Sequence, residues 1–183
     1  MSTPILVITG PSGVGKGTLI KELLKRLPGL QLAVSATTRE PREGEVNGRD
    51  YHFLSGEDFD RRVTAGEFVE HAEYAGNRYG TLRSELARPA RCIVLEIDVQ
   101  GARQVRETLP EATRIFIEPP SMADLARRLA RRGADSQEQI DRRLEAAGEE
   151  LAARDDFDHR IVNDDLERAS RELTELVATM CPP

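Results

Sequence analysis

Seven residues restrict this chain more than any others. Gly10-Pro11-Ser12-Gly13-Val14-Gly15-Lys16 lies between a continuous apolar run, Ile5-Leu6-Val7-Ile8, and a stretch with Leu19, Leu23, Leu24 and Leu27 at helical spacing. The spacing G-x-x-x-x-G-K between a strand and a helix lets successive backbone N–H groups point into one concavity, and the helix N-terminus adds partial positive charge. Such a concavity suits phosphate, with Lys16 reaching the β and γ phosphates of a nucleotide. About 0.02 chance matches are expected in a chain with so few glycines and lysines. A short, fully apolar strand feeding a helix also belongs to a parallel sheet, so the same segment sets the fold class as α/β.

The segments that follow agree. Thr18 to Leu27 reads as a helix stopped by Pro28-Gly29, and Gln31 to Thr38 as one strand. Residues 39–50 are too polar for core. Residues 51–81 mix short strand-like pieces, Tyr51 to Phe53 and Phe68 to Tyr74, with a helix near Glu57 to Val63. Cys92 to Asp98 and Thr113 to Ile117 read as buried strands, with a helix from Gly101 to Leu109 between them. Two arginine-rich helices follow, Met122 to Arg132 and Gln137 to Ala153, then a short strand, Arg160 to Val162, and a terminal helix, Leu166 to Met180. The expected architecture is a P-loop NTPase-type parallel sheet flanked by helices, with a small subdomain and a helical lid. The expected division is a core of 1–34, 82–120 and 157–183, a flap of 35–81 and a lid of about 121–156.

Composition excludes several classes. With 183 residues, 39% hydrophobic and 32% charged, the chain is a single globular domain rather than a membrane or disordered protein. No apolar run approaches the ~20 residues of a membrane span. The net charge of −6 argues against broad nucleic-acid binding. Cys92 and Cys181 form neither a disulfide framework nor a metal motif, and the N-terminus has no basic leader, so a cytoplasmic setting is expected. Lys16, Lys21 and Lys25 are the only lysines among 26 basic residues. The arginine excess fits either base composition or recognition of planar anions.

The loop departs from its consensus at one position. Gly17 stands where Ser or Thr would ligate Mg²⁺, and Thr18 follows. Either Thr18 serves from the next position, or the metal is held by waters and phosphate oxygens, which Mg²⁺ tolerates. The Gly-Lys-Gly-Thr reading resembles that of adenylate kinases.

A phosphate loop alone fits GTPases, motors and small-molecule kinases. The decisive segments are Ser35-Ala36-Thr37-Thr38-Arg39-Glu40-Pro41-Arg42-Glu43-Gly44-Glu45, Asp50-Tyr51-His52-Phe53, Gly66-Glu67-Phe68 and Tyr79-Gly80-Thr81. Glu96-Ile97-Asp98-Val99-Gln100-Gly101 and Val162-Asn163-Asp164-Asp165-Leu166 continue them. In this order they resemble the guanylate kinase family over nearly the whole chain.

That resemblance implies ATP-dependent, Mg²⁺-requiring phosphorylation of GMP and dGMP by direct in-line transfer. ATP and the guanine nucleotide are small-molecule substrates, with no membrane, nucleic acid or obligatory protein partner. Residues Gly10 to Thr18 would hold ATP, with Asn163 near its adenine. Arg39, Arg42, Tyr51 and Tyr79 would cradle the acceptor phosphate. Glu70, with the hydroxyls of Ser35 and Thr81, would read guanine, whose N1–H and N2–H₂ donors suit a carboxylate; adenine would leave that carboxylate unpaired. Glu96 and Asp98 would contact the acceptor or the water shell of the metal, with Glu96 alternatively pairing with an arginine. Lys16, Arg39, Arg132 and Arg143 would carry the charge of the transferring group. The remaining lid arginines, 127, 128, 131 and 142, read as solvated helix faces paired with Asp and Glu. The family usually has Thr after the lid glycine, where this chain has Ala134. Rival readings are a phosphotransferase for another monophosphate or sugar phosphate, and a non-catalytic scaffold module; the intact loop and the guanine-reading set argue against both.

Overall fold

The computed structural model describes residues 3–74, 76–131 and 136–181. Five parallel strands form the main sheet: β1 (Ile5–Thr9), β2 (Leu30–Leu32), β7 (Cys92–Glu96), β8 (Thr113–Glu118) and β9 (His159–Val162), in the order β2-β7-β1-β8-β9. The central strand β1 runs in register with both neighbours, Val7 facing Leu95 on one side and Arg114 on the other. Alternation divides its side chains between two faces. Leu6 and Ile8 pack with Leu19 and Leu23 of α1 (Lys16–Arg26) and with Leu173 and Val177 of α7 (Leu166–Met180). Val7 packs on the other face with Ala102 and Val105 of α4 (Val99–Thr108).

The sequence suggests one strand from Gln31 to Thr38, but the chain changes sheets there. Ala33 donates its N–H to the Val94 carbonyl, the last bond to the main sheet, whereas the Val34 N–H goes to the Glu85 carboxylate. Ser35–Thr37 then form β3 of a second sheet, ordered β4-β3-β6-β5, with β4 (His52–Phe53), β5 (Phe68–Tyr74) and β6 (Asn77–Leu82). Propensity hides β6 because Gly80 interrupts it. That glycine is required: a Cβ there would sit 2.7 Å from the Glu70 carbonyl oxygen. This sheet has its own small core. Phe59 of α2 (Gly56–Thr64) stacks on Phe68 at 4.5 Å between ring centroids, beside Ala36 and Leu82. Burying Phe59 completely is worth about 2–3 kcal/mol to this layer.

The strand expected through Asp98 ends at Glu96. Asp98 instead caps α4, its carboxylate accepting from the Gly101 N–H at 2.8 Å, so the helix begins at Val99. A short helix, α3 (Arg83–Leu86), returns the chain from the second sheet. Helices α5 (Met122–Arg131) and α6 (Gln137–Ala152) pack through Leu125, Leu129, Ile140 and Ala147. Ser136 and Gln139 form a reciprocal capping box at the start of α6. Among the described residues no helix is long and apolar enough to cross a membrane.

Candidate active site

A cavity of about 330 Å³ lies where the carboxyl ends of β1 and β7 face the second sheet. This is the crevice in which open α/β folds bind ligands. Its two walls are built differently.

On the core side, the loop after β1 presents Gly10, Ser12 and Lys16 to the cavity. Gly10 has φ 145°, and a Cβ there would be 2.1 Å from the Ile117 carbonyl oxygen, so only glycine fits. Lys16 curls over its own loop, donating from Nζ to the Gly10 carbonyl at 2.5 Å and to the Pro11 carbonyl at 3.2 Å. The back of the loop is clamped. Asn163, only 6% exposed, donates from Nδ2 to the Val14 carbonyl at 2.8 Å. Arg128 donates to the same carbonyl at 3.1 Å and to the Asn163 carbonyl at 2.6 Å. Asn163 therefore braces the phosphate loop and stands outside the cavity lining. Arg128 is no solvated surface residue; Arg127 and Arg142 do pair locally, with Asp124 and Glu138.

On the opposite wall, register aligns the guanine-reading candidates. Ser35 of β3 pairs with Thr81 of β6, which pairs with Glu70 of β5, so three adjacent strands carry them in one row. A bulge between Phe68 and Glu70 interrupts the alternation and brings Glu70 opposite Thr81. Glu70 is 4% exposed, and its Oε1 accepts from the Thr81 hydroxyl at 2.7 Å. A Cβ on Gly101 would lie 2.5 Å from Glu70 Oε2, so the absent side chain makes room for the carboxylate. Burial pushes the Glu70 carboxyl up to about 7; the Thr81 hydroxyl and N–H oppose that rise, and the charge of Asp98 adds to it.

Tyr51 and Tyr79 line the same cavity, edge to face with centroids 6.2 Å apart, and burial raises the Tyr51 phenol. Arg39 stands over the Tyr51 ring at 5.3 Å, while Glu45 accepts its guanidinium at 2.8 and 2.9 Å. Glu45 also accepts the Arg42 N–H at 2.7 Å. Arg39 and Arg42 stand outside the cavity lining. Arg143 is half-buried on α6, also outside the lining, and Arg132 falls outside the described residues.

Glu96 and Asp98 both line the cavity. Burial raises the Glu96 carboxyl against the pull of Lys16 and then Lys21, so its cationic neighbours are lysines rather than an arginine. A Cβ on Gly17 would lie 3.8 Å from both Glu96 oxygens, which places this carboxylate against the consensus hydroxyl position. Thr18 is exposed and stands outside the cavity lining.

Sequence reasoning passed over three contributors. Glu150 of α6 reaches the cavity beside Ser12 and Lys16; burial raises its carboxyl, opposed by the charge of Lys16 and the Ser12 N–H. Its signal was its place seven residues after Arg143, on the same helix face. Glu45 and Arg128 act as braces, and neither left a pattern beyond local charge. Asp50, Glu70, Glu96, Asp98 and Glu150 together make the lining strongly acidic around Lys16. Among the described residues no three such groups lie close enough to hold a metal by themselves. Hard carboxylate oxygens near a phosphate loop nonetheless suit Mg²⁺, which takes one or two carboxylates and completes its shell from phosphate and water.

The sequence model described as guanylate kinase matches residues 2–180. A guanylate kinase of Nostoc sp. is 52% identical over 172 residues, covering 92% of this chain and 86% of its own. One of Thermosynechococcus vestitus is 51% identical over 181 residues, covering 97% and 95%. The crystal structure of a guanylate kinase from Anaplasma phagocytophilum superposes with a TM-score of 0.78 at 31% identity, covering all of this chain and 88% of that one. A shikimate kinase from Bacteroides thetaiotaomicron, at 17% identity and a TM-score of 0.55, shares the fold alone.

Proposed function

The chain belongs to the guanylate kinase family, and from that premise we propose that it transfers the γ-phosphate of ATP to GMP and dGMP, giving ADP and the diphosphate. The observation that carries this reading is the row Ser35–Thr81–Glu70, one wall of a cavity whose other wall is the phosphate loop. Guanine donates N1–H and N2–H₂ to Glu70, and the two hydroxyls complete the base edge. The acceptor phosphate rests among Tyr51, Tyr79, Arg39 and Arg42, with Glu45 orienting both arginines. The contacts assigned are to base and phosphate, so the deoxynucleotide is accepted as well.

Phosphoryl transfer asks for position and positive charge rather than covalent chemistry from the protein. Lys16 exchanges the Gly10 and Pro11 carbonyls for the β and γ phosphates. Glu96 and Asp98 would hold the water shell of Mg²⁺, which would supply positive charge to the transferring phosphate. Arg143 approaches from α6, Arg132, outside the described residues, is assigned the same role, and closure of α5 and α6 as a lid excludes the water that would otherwise hydrolyse ATP. The acceptor oxygen attacks phosphorus directly and in line, without a phosphoenzyme. The proposed setting is the cytoplasm.

A coupled ADP-release assay with ATP and Mg²⁺, offering GMP, dGMP, AMP, CMP, UMP and ribose phosphates in parallel, tests this. Turnover confined to the guanine nucleotides and lost in Lys16→Ala is the expected result. Turnover with another acceptor discards the roles given to Glu70, Ser35 and Thr81. Binding of GMP without turnover turns the chain into a binding module.

A further inference from the structure

Glu85 is a carboxylate with no place in the reaction described above, yet it is 5% exposed at the root of the second sheet. It sits on α3, immediately after the chain returns from that sheet. Its Oε2 accepts the Val34 N–H at 2.9 Å and Arg88 Nη1 at 2.8 Å, and its Oε1 meets His52 Nε2 at 2.9 Å. Burial alone would raise this carboxyl; the Val34 N–H, His52 and Arg88 together outweigh burial and hold it below the ordinary carboxylate range. The charge is thus fully accounted for by partners, as a buried carboxylate requires.

Two of those partners matter by their neighbours. Val34 directly precedes Ser35, at one end of the guanine-reading row, and His52 directly follows Tyr51, on the acceptor-phosphate side of the cavity. Val34 lies in the only backbone link between β2 and β3, where neither sheet supplies a partner for its N–H. β4 has just two residues and one strand neighbour, so its own ladder holds it weakly. A single carboxylate therefore ties down both segments from one point.

We propose that Glu85 is a positioning residue for the guanine nucleotide, fixing the span between the base-reading segment at Ser35 and the phosphate-holding segment at Tyr51. It touches no substrate itself. This inference rests on the acceptor site proposed above and adds a residue that sets its dimensions. Because the tie lies on the acceptor wall and away from the phosphate loop, its loss falls on one substrate and spares the other.

The test uses Glu85→Ala and Glu85→Gln in the full chain. GMP affinity is measured by calorimetric titration without ATP, and KM for each substrate and kcat come from the coupled assay. Glu85→Ala is expected to raise Kd and KM for GMP about five- to twentyfold, the scale of losing buried charge-assisted hydrogen bonds. The KM for ATP and the kcat at saturating GMP should stay within about twofold. Glu85→Gln, whose amide oxygen still accepts the Val34 N–H, should recover part of the affinity. Equal rises in both KM values, or an unchanged GMP affinity beside a lowered melting temperature, would mean a purely structural role and overturn the proposal. Should Glu85→Ala not fold, His52→Ala removes the Tyr51 end alone and must show the same GMP-selective loss; if it does not, the proposal fails. A wild-type chain that did not bind GMP would overturn the acceptor site itself, and this proposal with it.

Discussion

On the proposed acceptor site, Glu70 makes GMP binding a proton-linked event. Its carboxyl titrates at about 7 in the free protein because burial outweighs the help of Thr81. Guanine offers that group only donors, so the ionised form is the one that binds. At pH 6 roughly one carboxyl in eleven is ionised, so GMP binds about tenfold more weakly than at pH 8. Binding at pH 7 should release about half a proton from this group, visible as a dependence of calorimetric heat on buffer ionisation enthalpy. The phosphate of GMP titrates in the same range, and the Glu70→Gln variant isolates it, since its residual binding carries only the titration of the phosphate. The same shift has a sign for stability. The folded-state pKa lies above the ordinary 4.5, so the folded protein holds the extra proton between 4.5 and about 7. The carboxyl is therefore tolerated below pH 4.5 and becomes a growing burden as pH rises from there to about 7, where the loss levels off at about 3 kcal/mol. Glu70→Gln should accordingly be more stable than wild type at pH 8 in urea unfolding, with the gap closing below pH 4.5. A GMP affinity that is flat from pH 6 to 8 in wild type, or a Glu70→Gln variant less stable at pH 8, would refute the reasoning.

Other outcomes follow from the packing. Gly101→Ala drives a methyl to 2.5 Å from Glu70 Oε2 and should raise KM for GMP by about tenfold or more, with KM for ATP little changed. Glu45→Ala removes the shared acceptor of Arg39 and the Arg42 N–H; GMP affinity should fall several-fold while guanosine, lacking the phosphate, binds as before. Asn163→Ala leaves the Val14 carbonyl with Arg128 alone and should weaken ADP binding and lower the melting temperature together, without altering base preference. Both thiols are fully buried, and burial raises that of Cys92, so a thiol reagent should label neither until the protein is unfolded.

The core was readable because its signals are local. A β-branched run, a glycine loop and leucines at helical spacing describe β1, the phosphate loop and α1 without reference to anything distant. The second sheet was harder, because what decides it is remote. Whether residues 31–38 make one strand or two depends on Glu85, some fifty positions away, capturing the Val34 N–H. β6 carries a glycine that propensity counts against it and that the close approach of the Glu70 backbone demands. The candidate site divides in the same way. Glu70, Ser35 and Thr81 were found through family motifs, and only strand register shows them as neighbours. Asn163 was found by motif too, but its contact with the Val14 carbonyl makes it a brace rather than a wall. Glu150 and Arg128 lay among many helical charges, and nothing in the spacing separates a charge facing the cavity or loop from one facing water.

The placement of the two halves of the site on two sheets has a consequence for descent. The phosphate loop depends on β1, β8 and α1, whereas the row proposed to read the base belongs to β3, β5 and β6, which have a separate apolar centre at Phe59. Substitutions that reshape the acceptor wall need not disturb the packing that holds the donor loop, and an ancestor could exchange one acceptor for another while keeping its engine.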